Sequence, residues 1–155
     1  MQFRGIQDVE VGYSGGHTSH PDYETVCSEA TGHAEVARVI FDEKEIPADI
    51  VLDIFFTLHD PTQLNRQGND IGSSYRSCMF YEGEDQMKLF DQALVRAKQV
   101  WGDKIVTTVQ PLERFWMGED YHQDFFAKNP NQGYCNFVVK PKMDKTAKAF
   151  AGYLR

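Results

Sequence analysis

One stretch limits what this chain can fold into more than any other: Thr31-Gly32-His33-Ala34-Glu35-Val36-Ala37-Arg38-Val39-Ile40-Phe41. Read with a period of two, His33, Glu35, Ala37, Val39 and Phe41 share one face, and Ala34, Val36, Arg38 and Ile40 the other. A β-branched run with apolar residues on both faces predicts a strand near the centre of a sheet. Glu35 is then a carboxyl group set into a mostly apolar row. Burial without a cationic partner disfavours the charged form and raises a carboxyl pKa, which makes Glu35 a candidate general acid near neutral pH. The plainer reading is a strand-end glutamate paired with Arg38, Arg76 or a lysine.

A chain of 155 residues suits one domain with a real core, and 41% hydrophobic with 13% aromatic residues excludes a disordered chain. The formal net charge of -7, with no basic stripe to offset it, argues against nucleic acid as a partner. The most basic region, residues 140–148, reads as a solvated tail or a helix. No apolar run approaches the ~18 residues of a membrane span, and Met1-Gln2-Phe3-Arg4 is not a signal peptide. The expectation is a soluble, cytoplasmic protein with no membrane partner. Its three cysteines, Cys27, Cys78 and Cys135, are widely spaced, so they form neither a disulfide framework nor a Cys-x-x-Cys pair.

Along the chain, Val9, Val11 and Tyr13 alternate with Glu10 and Gly12, which predicts a strand from about Gln7 into the Ser14-Gly15-Gly16 turn. Residues 17–24 read as loop. Ile46-Pro47 opens a helix whose buried face is Ile50, Val51, Ile54, Phe55 and Leu58, and Asp60-Pro61 ends it. Residues 61–74 form a long loop rich in Asn, Gln and Gly, of the kind that carries function in compact domains. A strand is expected over 75–81 and an amphipathic helix over 84–101, with Phe90, Leu94, Ala97 and Trp101 inward and Gly102 as its stop. Another strand covers 105–109. Residues 111–132 are rich in aromatics, and Phe137-Val138-Val139 pairs briefly with the sheet. Strands and helices alternate irregularly, which predicts an α+β fold with helices on an antiparallel or mixed sheet.

His33-Ala34-Glu35 matches half of a zinc deaminase signature, but the Pro-Cys-x-x-Cys half is absent. The five histidines have no metal-ligand spacing, and no glycine pattern fits a phosphate loop, so no metal or cofactor is expected. The remaining chemistry is a buried acid, a thiol in a polar tail, and tyrosines beside turns: Tyr13, Tyr23, Tyr75 and Tyr134. Phenols are rigid donors suited to holding a ligand oxygen, though any one of them is as well read as an ordinary amphipathic core tyrosine.

Several motifs occur in register: Val11-Gly12-Tyr13-Ser14-Gly15-Gly16-His17, Pro21-Asp22-Tyr23-Glu24-Thr25-Val26, Thr31-Gly32-His33-Ala34-Glu35-Val36 and His59-Asp60-Pro61-Thr62. Asn65-Arg66-Gln67-Gly68-Asn69-Asp70-Ile71-Gly72-Ser73-Ser74-Tyr75-Arg76-Ser77 follows, then Glu119-Asp120-Tyr121-His122-Gln123 and Lys128-Asn129-Pro130-Asn131-Gln132-Gly133-Tyr134-Cys135. Together they resemble the successive motifs of the A-type peptide methionine sulfoxide reductases over nearly the whole chain. The resemblance implies a ferredoxin-like two-layer α/β plait with a mixed sheet, helices on its faces and a long C-terminal coil. It implies reduction of the S epimer of methionine sulfoxide, free or in oxidised proteins, as a protein-repair step under oxidative stress.

In that family a thiolate attacks the sulfoxide sulfur while a carboxylic acid protonates its oxygen. A second cysteine then condenses with the sulfenic acid, and thioredoxin reduces the disulfide. Carried over by position, Glu35 falls on the acid, Tyr23 and Tyr75 on the phenols around the oxygen, and Asp70 on the supporting loop carboxylate. Cys135 falls on a recycling cysteine, and Tyr13 and Tyr134 on pocket neighbours. The family's nucleophile sits in Gly-Cys-Phe-Trp, at a helix start ahead of the Gly-Tyr-x-Gly-Gly turn, and residues 1–155 contain no such motif. The expectation is therefore a single reductase domain, a monomer when complete, lacking its first strand and most of its first helix. Cys27 reads as non-catalytic and Cys78 as packed. The rival expectation is an inactive sulfoxide-binding module or regulatory fragment of the same fold.

Overall fold

The computed structural model describes residues 3–120 and 140–155. The first strand, β1 (Ile6–Ser14), pairs antiparallel with β2 (Ala34–Phe41), from Ser14 opposite Ala34 to Ile6 opposite Phe41, with an irregularity between Ile6 and Asp8. Its other edge takes the short β7 (Trp116–Met117), which gives the order β2-β1-β7. Gly12 permits that approach: a Cβ there would run into the Trp116 carbonyl and the Phe115 ring. A second ladder joins β5 (Cys78–Tyr81) in parallel to β6 (Thr108–Pro111), and a third is the two-residue hairpin of β3 (Arg66–Gln67) and β4 (Asp70–Ile71). Antiparallel and parallel pairing both occur, as expected for a mixed α+β fold, in three ladders among the described residues.

Three helices cover these strands. The middle one, α2 (Ala48–Leu58), lies between two apolar clusters. On one side Ile54 joins Phe3, Ile6 and Ile46, with Val39, Phe41 and Val51 packed against them. On the other, Phe56 joins Met79, Ala93 and Ala97, with Phe55, Phe90 and Trp101 around them. The long α3 (Gly83–Trp101) supplies Ala93 and Ala97 from one stripe, as its period of 3.6 dictates, and Gly102 stops it in a left-handed conformation (φ 77°). Arg96 ties α3 to Asp53 of α2 at 2.9 Å, and the Trp101 indole N–H donates to the Phe56 carbonyl. At the end of the chain, α4 (Lys140–Ala149) packs on α2, and Arg155 donates to the carbonyls of Phe3 and Ile6.

Several expectations change. The strand expected at the centre of a sheet is an edge strand among the described residues, because β2 has a neighbour only on the β1 side. Residues 31–33 precede it, and Ala37, Arg38 and Ile40 are exposed. The expected inward face of α2 holds at Ile50, Val51, Ile54 and Phe55 and differs at two residues: Phe56 is buried, and Leu58 points out. Phe56 is drawn in by the second cluster, which a single-stripe reading of the helix could not anticipate. Tyr75 lies in a 3-10 turn (Ser73–Tyr75) ahead of β5 and not within it, while the strand expected over 105–109 is shifted to Thr108–Pro111. Residues 140–149 are helix, so the C-terminal stretch is not coil throughout. The pairing expected for residues 137–139 lies outside the described residues.

Candidate functional site

Five residues of α1 (Tyr23–Cys27) set the geometry. Asp22 caps this helix: its carboxylate accepts from the Thr25 N–H, and the Thr25 hydroxyl oxygen accepts from the Asp22 N–H. One turn separates Tyr23 from Cys27, so both side chains emerge on the same side. The Cys27 sulfur lies 3.6 Å from the Tyr75 hydroxyl, which brings together two motifs far apart in sequence. The loop expected over 17–24 hid this, because a Tyr-x-x-x-Cys spacing has meaning only on a helix. Cys27, which reads as non-catalytic in the sequence, lies beside both phenols.

Tyr75 is held by what happens beneath its turn. The Glu29 carboxylate accepts from the Ser73 hydroxyl (2.7 Å), the Ser74 hydroxyl (2.7 Å) and the Ser74 N–H (3.0 Å). Desolvation pushes the Glu29 pKa up, but these bonds outweigh it and hold the carboxyl below its ordinary value. Arg76 clamps the same turn by donating to the carbonyls of Ser73 and Gly32. Sequence reasoning gave Glu29 no role, since nothing local marks an acid whose partners lie 44 residues on.

Glu35 is half-buried on β2, and its pKa is raised. Burial raises its pKa first, and the negative charges of Asp70 and Glu119 raise it further. The expected cationic partners are engaged elsewhere: Arg38 bonds Glu10 at 2.8 Å, and Arg76 bonds the turn. Among the described residues, no salt bridge reaches Glu35. Tyr13 sits opposite Glu35 across the β1–β2 ladder, is 2% exposed, and donates to the Glu119 carboxylate at 3.2 Å. Glu119 thus belongs to the site, although sequence reasoning assigned it no part.

Both phenols feel the Glu35 charge. The Tyr75 pKa is driven up by burial, then by Cys27, Tyr23 and Glu35; that of Tyr23 rises through its hydrogen bond and charge interaction with Cys27. Both remain protonated donors near neutral pH. Tyr23 is 37% exposed, so the cluster opens to solvent on its side. The remaining described thiol, Cys78, is pushed up to about 11, chiefly by burial.

Polar loops hold this arrangement in place. Asp70 is presented by the β3–β4 hairpin, whose approach is tied by Gln67 to the Asp60 backbone and by Gln63 to the Gly68 N–H. These amide side chains explain the Asn/Gln-rich composition of the loop. His33 accepts at Nδ1 from the Gly16 N–H and donates from Nε2 to the Thr18 carbonyl, which fixes the glycine turn after β1. His59 is a neutral support: its Nδ1–H donates to the Phe55 carbonyl, and Nε2 accepts from the Ser77 hydroxyl. Burial lowers its pKa. Cys135 and Tyr134 lie outside the described residues. No group of three or more His, Cys, Asp or Glu residues is placed to hold a metal ion among the described residues.

A carboxyl with a raised pKa, two phenol donors and a thiol stand together on an α+β scaffold. The family model described as "Peptide methionine sulfoxide reductase" matches residues 1–153. A peptide methionine sulfoxide reductase MsrA of Clavibacter michiganensis is 58% identical over 97% of this chain and 86% of its own length, and one from Acinetobacter baumannii is 48% identical with the same coverage. Among solved structures, reduced Mxr1 of Saccharomyces cerevisiae superposes with a TM-score of 0.79 at 36% identity, over 84% of this chain and 76% of that one. Methionine sulfoxide reductase A of Corynebacterium diphtheriae gives 0.73 at 32% identity, over 86% and 68%. The chain belongs to the peptide methionine sulfoxide reductase family and is an oxidoreductase of that family. No described helix is long and apolar enough to cross a membrane.

Proposed function

We propose that the chain serves reduction of the S epimer of methionine sulfoxide, free or within oxidised proteins, with Glu35 giving the proton to the departing oxygen. A thiol sulfur attacks the sulfoxide sulfur and takes over its oxygen. The sulfoxide is reduced to methionine, the thiol is oxidised to a sulfenic acid, and the proton count balances. Cys135 then condenses with the sulfenic acid, releasing water and leaving a disulfide, and a dithiol reductant restores both thiols. Thioredoxin is the reductant on this reading, supported by the solved complex of Mxr1 with Trx2. Tyr23 and Tyr75 hold the oxygen, Asp70 keeps Glu35 protonated, and Tyr13 aligns Glu119; Tyr134 joins the pocket wall. The protein acts as one domain and one subunit in cytoplasmic repair.

The observation that supports this reading is the Glu35 carboxyl, whose pKa is raised by burial and by the charges of Asp70 and Glu119, together with the Cys27 sulfur 3.6 Å from the Tyr75 hydroxyl. A second reading rests on the raised Cys78 pKa, which leaves that thiol a poor nucleophile: a pocket that binds sulfoxide without turning it over. Purified protein with dithiothreitol and an S-sulfoxide separates them, and turnover no faster than a thiol-only control favours the second. Where single turnover occurs, Glu35→Gln is expected to slow it ~10²–10⁴-fold, as loss of a general acid does. Cys135→Ser is expected to leave that turnover intact and stop thioredoxin-driven cycling. A Gln variant reacting at the parent rate removes Glu35 from the mechanism.

A further inference from the structure

A small cavity of about 170 Å³ lies between the turn after β1 and the segment that leads from β6 into β7. The turn contributes Gly15, Gly16 and Thr18 to its wall, and the segment contributes Glu113, Arg114 and Trp116. Both walls are fixed. The buried His33 ties its two ring nitrogens to the turn, at the Gly16 N–H and the Thr18 carbonyl. Gly16 has no room for a side chain, since a Cβ would run into the His33 backbone and the Thr31 carbonyl. On the other side the Ser14 hydroxyl donates to the Arg114 carbonyl at 2.7 Å, which pins the Arg114 main chain to β1.

Two polar groups of this wall lack partners. The Thr18 hydroxyl oxygen is shut away from solvent and has no hydrogen-bond partner among the described residues. Buried hydroxyls are ordinarily satisfied, because leaving one unmade is costly. The Arg114 guanidinium lies over the Trp116 ring, 3.8 Å from its centroid, and among the described residues it makes neither an ion pair nor a hydrogen bond. Stacking occupies the flat face of a guanidinium and leaves the N–H donors along its edge free. Glu113 shares the wall without pairing to it. A planar fork of donors and a hydroxyl on one cavity match a carboxylate.

The position of the cavity relates it to the candidate site. Tyr13 stands directly opposite Glu35 on β2 and directly opposite Trp116 on β7, so the three side chains share one face of the sheet. Neighbouring strands are about 4.8 Å apart, which puts Trp116 about 10 Å from Glu35. An extended peptide rises about 3.3 Å per residue, so a side chain two positions from a residue held at Glu35 points the same way, and a glutamate there spans the remainder.

We infer that this cavity is a subsite for an acidic side chain flanking the methionine sulfoxide of an oxidised protein, its carboxylate taken by the Arg114 guanidinium and the Thr18 hydroxyl. What sits at Glu35 rests on the sulfoxide reading above; the carboxylate site itself does not. The Trp116 ring, packed in turn against His20 with centroids 4.8 Å apart, holds the guanidinium in place ahead of binding, which lowers the ordering cost. The Thr18 hydroxyl gains the acceptor it lacks.

The probes are acetyl-Glu-Gly-Met(O)-Gly-Glu-amide, with the S-sulfoxide, and the same peptide with Gln at both ends, titrated into the 155-residue protein. The indole N–H resonance of Trp116 reports the subsite, and that of Trp101, bonded to the Phe56 carbonyl, is the reference for an intact fold. The Glu peptide is expected to move Trp116 and not Trp101, and to bind at least tenfold tighter than the Gln peptide at low salt, with a smaller ratio as ionic strength rises. Arg114→Gln is expected to bring the ratio below twofold, and Arg114→Lys to recover only part of it, because an ammonium lacks the fork. Equal binding of the two peptides overturns the subsite. So does a Glu preference that survives Arg114→Gln, or no binding of the Glu peptide at millimolar concentration. The same pair with norleucine in place of the sulfoxide separates this inference from the sulfoxide reading. A Glu preference with norleucine and sulfoxide bound alike supports the carboxylate site and counts against the sulfoxide reading, whereas sulfoxide preferred with Glu and Gln alike does the reverse.

Discussion

Removing the Glu29 carboxylate tests whether Tyr75 is held from below. Glu29→Ala strips three acceptor contacts at once: the hydroxyls of Ser73 and Ser74, and the Ser74 N–H. Ser74 is 1% exposed, so its hydroxyl and N–H lose partners where water has little access. An unsatisfied buried donor costs about 1–3 kcal/mol. Glu29 and Ser73 lie at the surface, where water replaces part of what is lost, so the expected destabilisation is about 2 kcal/mol and not the sum over three bonds. The backbone offers an internal control. Glu29 has φ 66°, a left-handed conformation in which any Cβ is strained. Glu29→Gly removes the same carboxylate and relieves that strain, so it is expected to be about 1 kcal/mol more stable than Glu29→Ala. Urea unfolding of the three proteins measures both differences through the midpoint at constant m. The pH dependence has a definite sign: Glu29 has a lowered folded pKa, so its contribution is present above the ordinary glutamate pKa and disappears as pH falls through the folded value. The reasoning fails if the Ala variant lies within 0.5 kcal/mol of the parent at neutral pH, or if Gly is less stable than Ala.

Glu35 should behave in the opposite sense. Its folded pKa is raised, the native state holds more protons than the unfolded state above the ordinary glutamate pKa, and its presence costs stability as pH rises through that window. Glu35→Gln is therefore expected to gain stability over the parent at pH 8 and to match it at pH 4; urea curves showing no pH-dependent difference contradict the assignment. Cys78, with its thiol pushed up to about 11, should be nearly inert to iodoacetamide in the folded protein. At pH 8 about one molecule in a thousand carries its thiolate, so alkylation mapped by mass spectrometry at the rate of a free thiol would show that Cys78 is not buried as described. Gly12→Ala is expected to lift β7 from β1, because the new Cβ meets the Trp116 carbonyl, and to cost about 1–3 kcal/mol. Retained hydrogen-exchange protection at Trp116 and Met117 would contradict that contact.

What the sequence by itself determined are the properties carried by neighbours along the chain. The stripe of Phe90, Leu94, Ala97 and Trp101 is legible because a helix repeats every 3.6 residues, although Ala93, buried beside Ala97, escaped it, and the alternation of 34–41 because a strand repeats every two. Glu35 could be read as a buried acid for the same reason: its environment is largely its own apolar row. Tertiary structure alone decided the rest. Asp70 and Glu119 reach Glu35 from elements far along the chain, Glu29 supports a turn 44 residues away, and the Cys27 sulfur meets the Tyr75 hydroxyl. Cys27 reads as non-catalytic from its neighbours in the chain, and only folding brings its sulfur within 3.6 Å of the Tyr75 hydroxyl. The same holds for β2. Its residues describe a strand fit for two neighbours, while only the long-range pairing, which no local periodicity encodes, shows that β1 is its one partner among the described residues.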